Sequence, residues 1–200
     1  MASVTRFIEG RLRLKVNQNK SAVAEPNGRH FVGFRLKVRP LAEDVEVRLS
    51  KRTIDRAYDK IRELIPRGYG NTLTSCIERV NEYLVGWINF FGICAEGEHH
   101  TLVNLEGHVR RRLRGLLLKQ WKRKSFIARR LLRLGTGKGA VRAGIFRGHR
   151  SWWALSNAPC VTYGLSNAYF AKRGLVSVVH EWRKLRTKRD IATAQLTLAL

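Results

Sequence analysis

The stretch from Thr72 to Lys124, TLTSCIERVNEYLVGWINFFGICAEGEHHTLVNLEGHVRRRLRGLLLKQWKRK, decides the fold. Ile77, Val80, Leu84, Ile88 and Phe91 recur every three or four residues, which places them on one face of a helix. Gly92 follows, and a glycine there offers the positive φ of a helix stop. Leu102, Leu105, Val109, Leu113, Leu116 and Leu117 repeat the spacing and predict a second helix. Its other positions carry Arg110, Arg111, Arg112, Arg114, Lys119, Lys122, Arg123 and Lys124. One side is expected to pack and the other to face a polyanion.

Working upstream, Ile54, Ala57, Tyr58, Ile61, Leu64 and Ile65 give a third helical face. Ser50 is its N-cap, and Pro66, Gly68 and Gly70 end it. Three such helices predict a small bundle. Before them, Val4, Phe7, Ile8 and Leu12 suggest a short helix within Met1–Leu14. Leu12–Val16 alternates like a strand, and extended pieces are expected at Ala22–Ala24, Phe31–Val38 and Val45–Leu49. Asn27-Gly28 marks a turn, and Arg39-Pro40 breaks the sheet. One helix and a few strands bury too little apolar area to stand alone.

Downstream, a short helix through Phe126, Arg130 and Leu134 stops at Gly135. Gly135–Gly139 is a basic loop without the spacing or preceding strand of a phosphate-cradling loop. Two further helices carry the faces Val161/Leu165/Ala168 and Val178/Val179/Trp182/Leu185, separated at Gly174, and the last ten residues are expected to fray. The expected class is α+β, mainly α. Its units are 1–49 (helix and small antiparallel sheet), 50–134 (helical bundle) and 135–200 (basic helical tail).

Charge bounds the function. The chain has 39 Lys+Arg against 15 Asp+Glu, a formal charge of +24, with an ordinary apolar fraction of 44%. Such an excess repels itself unless an anionic partner neutralises it. No acidic residue lies between Glu106 and Glu181. The three cysteines, Cys76, Cys94 and Cys160, form no Cys-x-x-Cys pair, which argues against zinc ribbons and redox motifs and for reduced thiols in the cytoplasm. His99, His100 and His108 lack carboxylate or thiol partners at ligand spacing. No signal peptide is evident, and the longest apolar run, Leu84–Ala95, is too short to span a bilayer, so no membrane partner is expected.

Several motifs together resemble the reverse transcriptase/maturase proteins encoded by group II introns. Gly86-Trp87-Ile88-Asn89-Phe90-Phe91 resembles the signature of their maturase-specific (thumb, or X) domain, with Trp87, Asn89, Phe90 and Phe91 as its motif core. Arg111-Arg112-Leu113-Arg114 and Lys119–Lys124 are similar to that domain's basic third helix. Leu12–Asn17 with Lys20-Ser21 resembles the sixth conserved reverse-transcriptase block. Phe31-Val32-Gly33-Phe34 resembles the seventh, whose hairpin grips the primer; Phe31, Gly33 and Phe34 would form it. Trp153, Leu155-Ser156-Asn157, Gly164-Leu165-Ser166-Asn167 and Gly174–Ser177 look like the bacterial C-terminal tail.

The resemblance implies a palm remnant at 1–49, a thumb-like bundle at 50–134 and a partner in intron RNA, bound by the Arg110–Lys124 face to assist splicing. It also offers target DNA and a separate fingers–palm polypeptide as partners. The family's polymerase centre uses a Tyr-Ala-Asp-Asp motif and a further Asp to hold Mg²⁺. Here the aspartates are Asp44, Asp55, Asp59 and Asp190, all outside the matching block. No catalytic residue, metal site or cofactor is therefore expected in this chain, and no polymerase activity from it alone; Mg²⁺ belongs to the full-length family enzyme. Met1 resembles an internal methionine of a longer protein. Two alternatives remain: the C-terminal piece of a split or truncated RNA-directed DNA polymerase, and a generic basic nucleic-acid-binding protein.

Overall fold

A computed structural model describes residues 2–17, 19, 21, 25, 27, 29–39, 44–66, 70–94, 96–147 and 151–198. The expected strand at Ala22–Ala24, Lys20 and the Gly28 half of the Asn27-Gly28 turn lie outside them. The architecture is mainly helical with one small antiparallel sheet, as the patterning predicts.

Helix α1 (Ala2–Gly10) buries none of its residues. The Leu12–Val16 alternation does not become a strand; Arg13 there has φ 53°, and Val16 N donates to Glu9 Oε1 at 3.3 Å. The sheet has order β1 (His30–Phe31), β2 (Phe34–Arg39), β3 (Asp44–Leu49). Its register pairs Phe31 with Phe34 and Phe34 with Leu49. Val32 (φ 48°) and Gly33 (φ 86°) make the two-residue turn, where a right-twisted hairpin needs left-handed backbone. A Cβ on Gly33 would sit 2.7 Å from Thr53 Oγ1 and 2.9 Å from Phe91 Cε1, so only glycine fits.

Helix α2 (Lys51–Leu64) starts as predicted at Ser50, whose hydroxyl accepts from Thr53 N at 3.2 Å. Helix α3 (Leu73–Phe91) is capped by Thr72, and helix α4 spans His99–Trp121 after a 3₁₀ turn at Glu96–Glu98. Gly92 ends α3 with φ −68°, not the positive φ expected; a Cβ there would collide with the Ile88 carbonyl, so the glycine serves close approach. α2, α3 and α4 pack pairwise around Ile61, Ile77, Val80, Leu84, Leu102, Leu105 and Leu113.

The tail wraps this bundle. Helix α5 (Lys124–Arg133) is followed by α6 (Lys138–Val141), a π-helical turn (Arg142–Phe146), α7 (Trp152–Leu155), α8 (Pro159–Gly164) and α9 (Asn167–Ala171). The Gly135–Gly139 loop therefore gives way to helix. Val161 and Leu165 are buried as predicted, but Ala168 is exposed and Phe170 fills the interior instead.

Helix α10 (Val178–Leu198) runs to Leu198 where fraying was expected. Val178, Val179 and Trp182 are buried, and α10 lies against α3 and α4. Its docking is polar at one end. Asn81 Nδ2 donates to Gly174 O at 2.7 Å, and Asn81 Oδ1 accepts from Val176 N at 3.0 Å. Glu106 Oε1 accepts from Ser177 Oγ at 2.6 Å and Val179 N at 2.9 Å, placing a negative charge at the α10 N-terminus.

Candidate nucleic-acid interface

α4 is central, so the side opposite its leucines is covered as well. α2 meets it on one flank and α7 on another. Arg112 and Arg114 are each 8% exposed, which corrects the expectation that this whole basic face meets solvent. Arg112 Nη2 donates to Arg62 O at 3.0 Å and to Ile65 O. Those carbonyls end α2 and have no partner inside their own helix. A guanidinium there satisfies them and faces the negative end of the helix dipole. Arg114 Nε donates to Leu165 O at 3.0 Å, at the C-cap of α8. Burial, and secondarily the neighbouring Arg110 charge, push the Arg114 guanidinium down to about 10. Arg189 repeats the device, its Nη1 donating to Gly92 O at 3.0 Å at the end of α3.

Arg110 and Arg111 are half-buried. Arg110 Nη1 pairs with Glu106 Oε2 at 2.9 Å, and the Arg111 guanidinium lies 4.1 Å from the Trp153 ring centroid. The second half of the predicted set lies at the α4–α5 corner. Lys122 (φ 55°) and Arg123 are exposed, while Lys119 and Lys124 are half-buried. Arg129, Arg130 and Arg133 continue along α5, exposed opposite the buried Ile127, Ala128 and Leu131. These α5 cations were not singled out from the sequence, although the period Ile127/Leu131 points them outward. Trp121 is half-buried and packs on the core.

The aromatic motif splits. Trp87 is buried and Phe91 half-buried, their ring centroids 5.0 Å apart, but Asn89 and Phe90 are exposed. Asn89 and Phe90 thus stand outside the buried core. Phe90 lies 4.8 Å from Phe91 and 6.1 Å from Phe34, so the end of α3 stacks on the sheet. Of the hairpin residues, Phe34 is buried, Gly33 makes the turn and Phe31 is 71% exposed. His99 and His100 begin α4, whereas His108 stands against Tyr58, centroids 4.8 Å apart. Among the described residues no group of three or more His, Cys, Asp or Glu is placed to hold a metal ion. Among them, too, no helix is long and apolar enough to cross a membrane.

Residues 54–135, from the first turn of α2 to the end of α5, match the family model of the group II intron, maturase-specific domain. That segment is similar to a maturase-specific domain. No curated protein matches the chain. The matched segment thus contains the α2–α4 bundle, the buried Arg112 and Arg114, and the exposed α4–α5 corner. The sheet, α7, α8 and α10 lie outside the matched residues and pack against them.

Proposed function

We propose that this chain binds group II intron RNA and assists its splicing, with the RNA seated on the α4–α5 corner of the maturase-specific domain. The observation that carries this reading is the row of exposed cations Lys122, Arg123, Arg129, Arg130 and Arg133 on a segment that matches that domain. Each guanidinium donates paired hydrogen bonds to phosphate, and each neutralised phosphate releases a condensed counterion. The protein contributes positioning and charge; the intron performs the chemistry. Lys119 and Lys124 flank the same corner. Arg112 and Arg114 act on this surface through the protein, by fixing α2 and α8 against α4.

The test is a salt titration of intron RNA binding with the native chain and a variant carrying Lys122→Gln, Arg123→Gln, Arg129→Gln and Arg133→Gln. The variant is expected to bind more weakly and to lose about three units of log–log salt slope. An unchanged slope sinks the assignment of this surface. Binding of unrelated duplex RNA as tightly as intron RNA supports a generic basic nucleic-acid-binding protein instead.

A second reading has its own support. Val4, Phe7, Leu12, Leu14, Phe31 and Val32 are all at least half exposed on α1, the segment after it and the hairpin tip. An apolar surface of this kind fits a further polypeptide packing there, such as the fingers–palm part of an RNA-directed DNA polymerase. Stable co-purification with such a polypeptide, abolished by Phe7→Ser and Phe31→Ser, is its expected signature.

A further inference from the structure

Where α4 meets the loops around α7 and α9, a recess of about 460 Å³ opens, with Arg110, Arg111, Arg114, His108, Asn157 and Asn167 in its wall. Three guanidiniums converge there. Arg110 is bonded to Glu106, whose Oε2 takes its Nη1 while its Oε1 is committed to Ser177 and Val179. The sequence adds no further Asp or Glu until Glu181. Arg111 keeps a buried Nε with no hydrogen-bond partner among the described residues. A buried donor of this kind carries a desolvation cost, and the charge of its guanidinium, which lines the recess, favours an anion there.

The remaining wall is not phosphate chemistry. Asn157 and Asn167 are exposed, and each offers an amide with paired donor and acceptor, the complement of a nucleobase edge. The Arg111 guanidinium lies over the Trp153 ring, 4.1 Å from its centroid, with His108 6.1 Å from the same ring. Planar cation, planar amides and a volume within the usual range for small-ligand pockets fit a single nucleotide turned out of a strand. The two asparagines stand in the repeated Leu-Ser-Asn of the tail, outside residues 54–135, so the recess is formed jointly by the maturase-specific domain and the tail.

We propose that this recess holds one unpaired ribonucleotide of the bound RNA, its phosphate on Arg110, Arg111 and Arg114 and its base edge on Asn157 and Asn167. The inference rests on the RNA-binding reading above and adds to it a second, single-strand subsite. The site distinguishes unpaired from duplex RNA, which the α4–α5 corner does not do by charge alone.

The experiment measures three probes on the full chain: a single-stranded RNA trinucleotide, an RNA duplex and 5′-AMP. The variant Asn157→Ala/Asn167→Ala changes two exposed side chains outside the corner surface. It is expected to lose about tenfold or more in trinucleotide affinity and to keep duplex affinity. A trinucleotide bearing 4-thiouridine is expected to crosslink within the recess, at His108 or Trp153. Unchanged trinucleotide affinity in the double variant, or crosslinks confined to α5, overturns the subsite. 5′-AMP binding as tightly as the trinucleotide overturns RNA as its source and assigns a free nucleotide. Failure of the RNA-binding reading itself shows separately, as duplex affinity that the four-glutamine corner variant leaves intact.

Discussion

Arg112 offers a test that separates a structural arginine from an RNA ligand. Arg112→Ala removes a guanidinium that is 8% exposed and bonded to the Arg62 and Ile65 carbonyls. Hydrogen bonds to a charged donor contribute about 1.5–3 kcal/mol each, so two set a gross loss of about 3–6 kcal/mol. Part of this is recoverable. A cleft of about 340 Å³ beside Arg112, Ile65 and Trp152 admits water to at least one orphaned carbonyl. The expected net cost is about 3 kcal/mol. For a chain of this size that lowers the thermal midpoint by about 6–12 °C. Urea denaturation followed by circular dichroism gives the first number, and RNA affinity is measured at a temperature where the variant is still folded. There the affinity is expected to stay within about threefold of the native value. A loss of under about 1 kcal/mol, accompanied by a tenfold or greater fall in affinity, refutes the capping role and returns Arg112 to the RNA. Arg112→Lys, which supplies one point donor instead of a fork, is expected to fall between the two.

Other outcomes follow from the same contacts. Glu106→Gln weakens the acceptor shared by Arg110, Ser177 and Val179; hydrogen exchange is expected to quicken over 177–182, with about 1–2 kcal/mol of stability lost. Gly33→Ala forces a Cβ against Thr53 and Phe91 at a positive φ and is expected to cost about 1–3 kcal/mol, read by denaturation and by faster exchange in β2. Burial, and next the nearby Glu98 charge, push the Cys94 thiol up to about 11. The folded state therefore holds this proton more tightly than the unfolded chain. Its contribution is complete below the ordinary thiol value near 9 and is lost as pH climbs from there to about 11. Cys94→Ala is expected to flatten that part of the stability profile, and native Cys94 to resist iodoacetamide at pH 8.

The helical faces of α2, α3, α4 and α10 were legible because each is an apolar stripe at a fixed period, and the period survives whatever packs on it. Even Val178, Val179 and Trp182 lie inside as their spacing says. The basic residues of α4 were not legible in the same way. Arg112 and Lys122 look alike in sequence, yet one closes the end of α2 and the other stands at an exposed corner. What separates them is which carbonyls come near, a tertiary fact. Gly92 suits a left-handed turn by sequence yet serves close packing, since a helix stop and a tight crossing both favour glycine. The short helices α6–α9 escaped because four to six residues are too few to display a period.

The Gly33 junction ties the sheet to the bundle at one point. Its carbonyl accepts from Ser50 N at 3.0 Å and from Thr53 Oγ1 at 2.6 Å, while its α-carbon abuts Phe91. The hairpin tip, the first turn of α2 and the last turn of α3 thus form a single mechanical joint. Fourteen residues further along, the opposite end of α2 is gripped by Arg112. A load applied to Phe31 and Val32 is therefore delivered down α2 as along a strut, and arrives at the middle of α4.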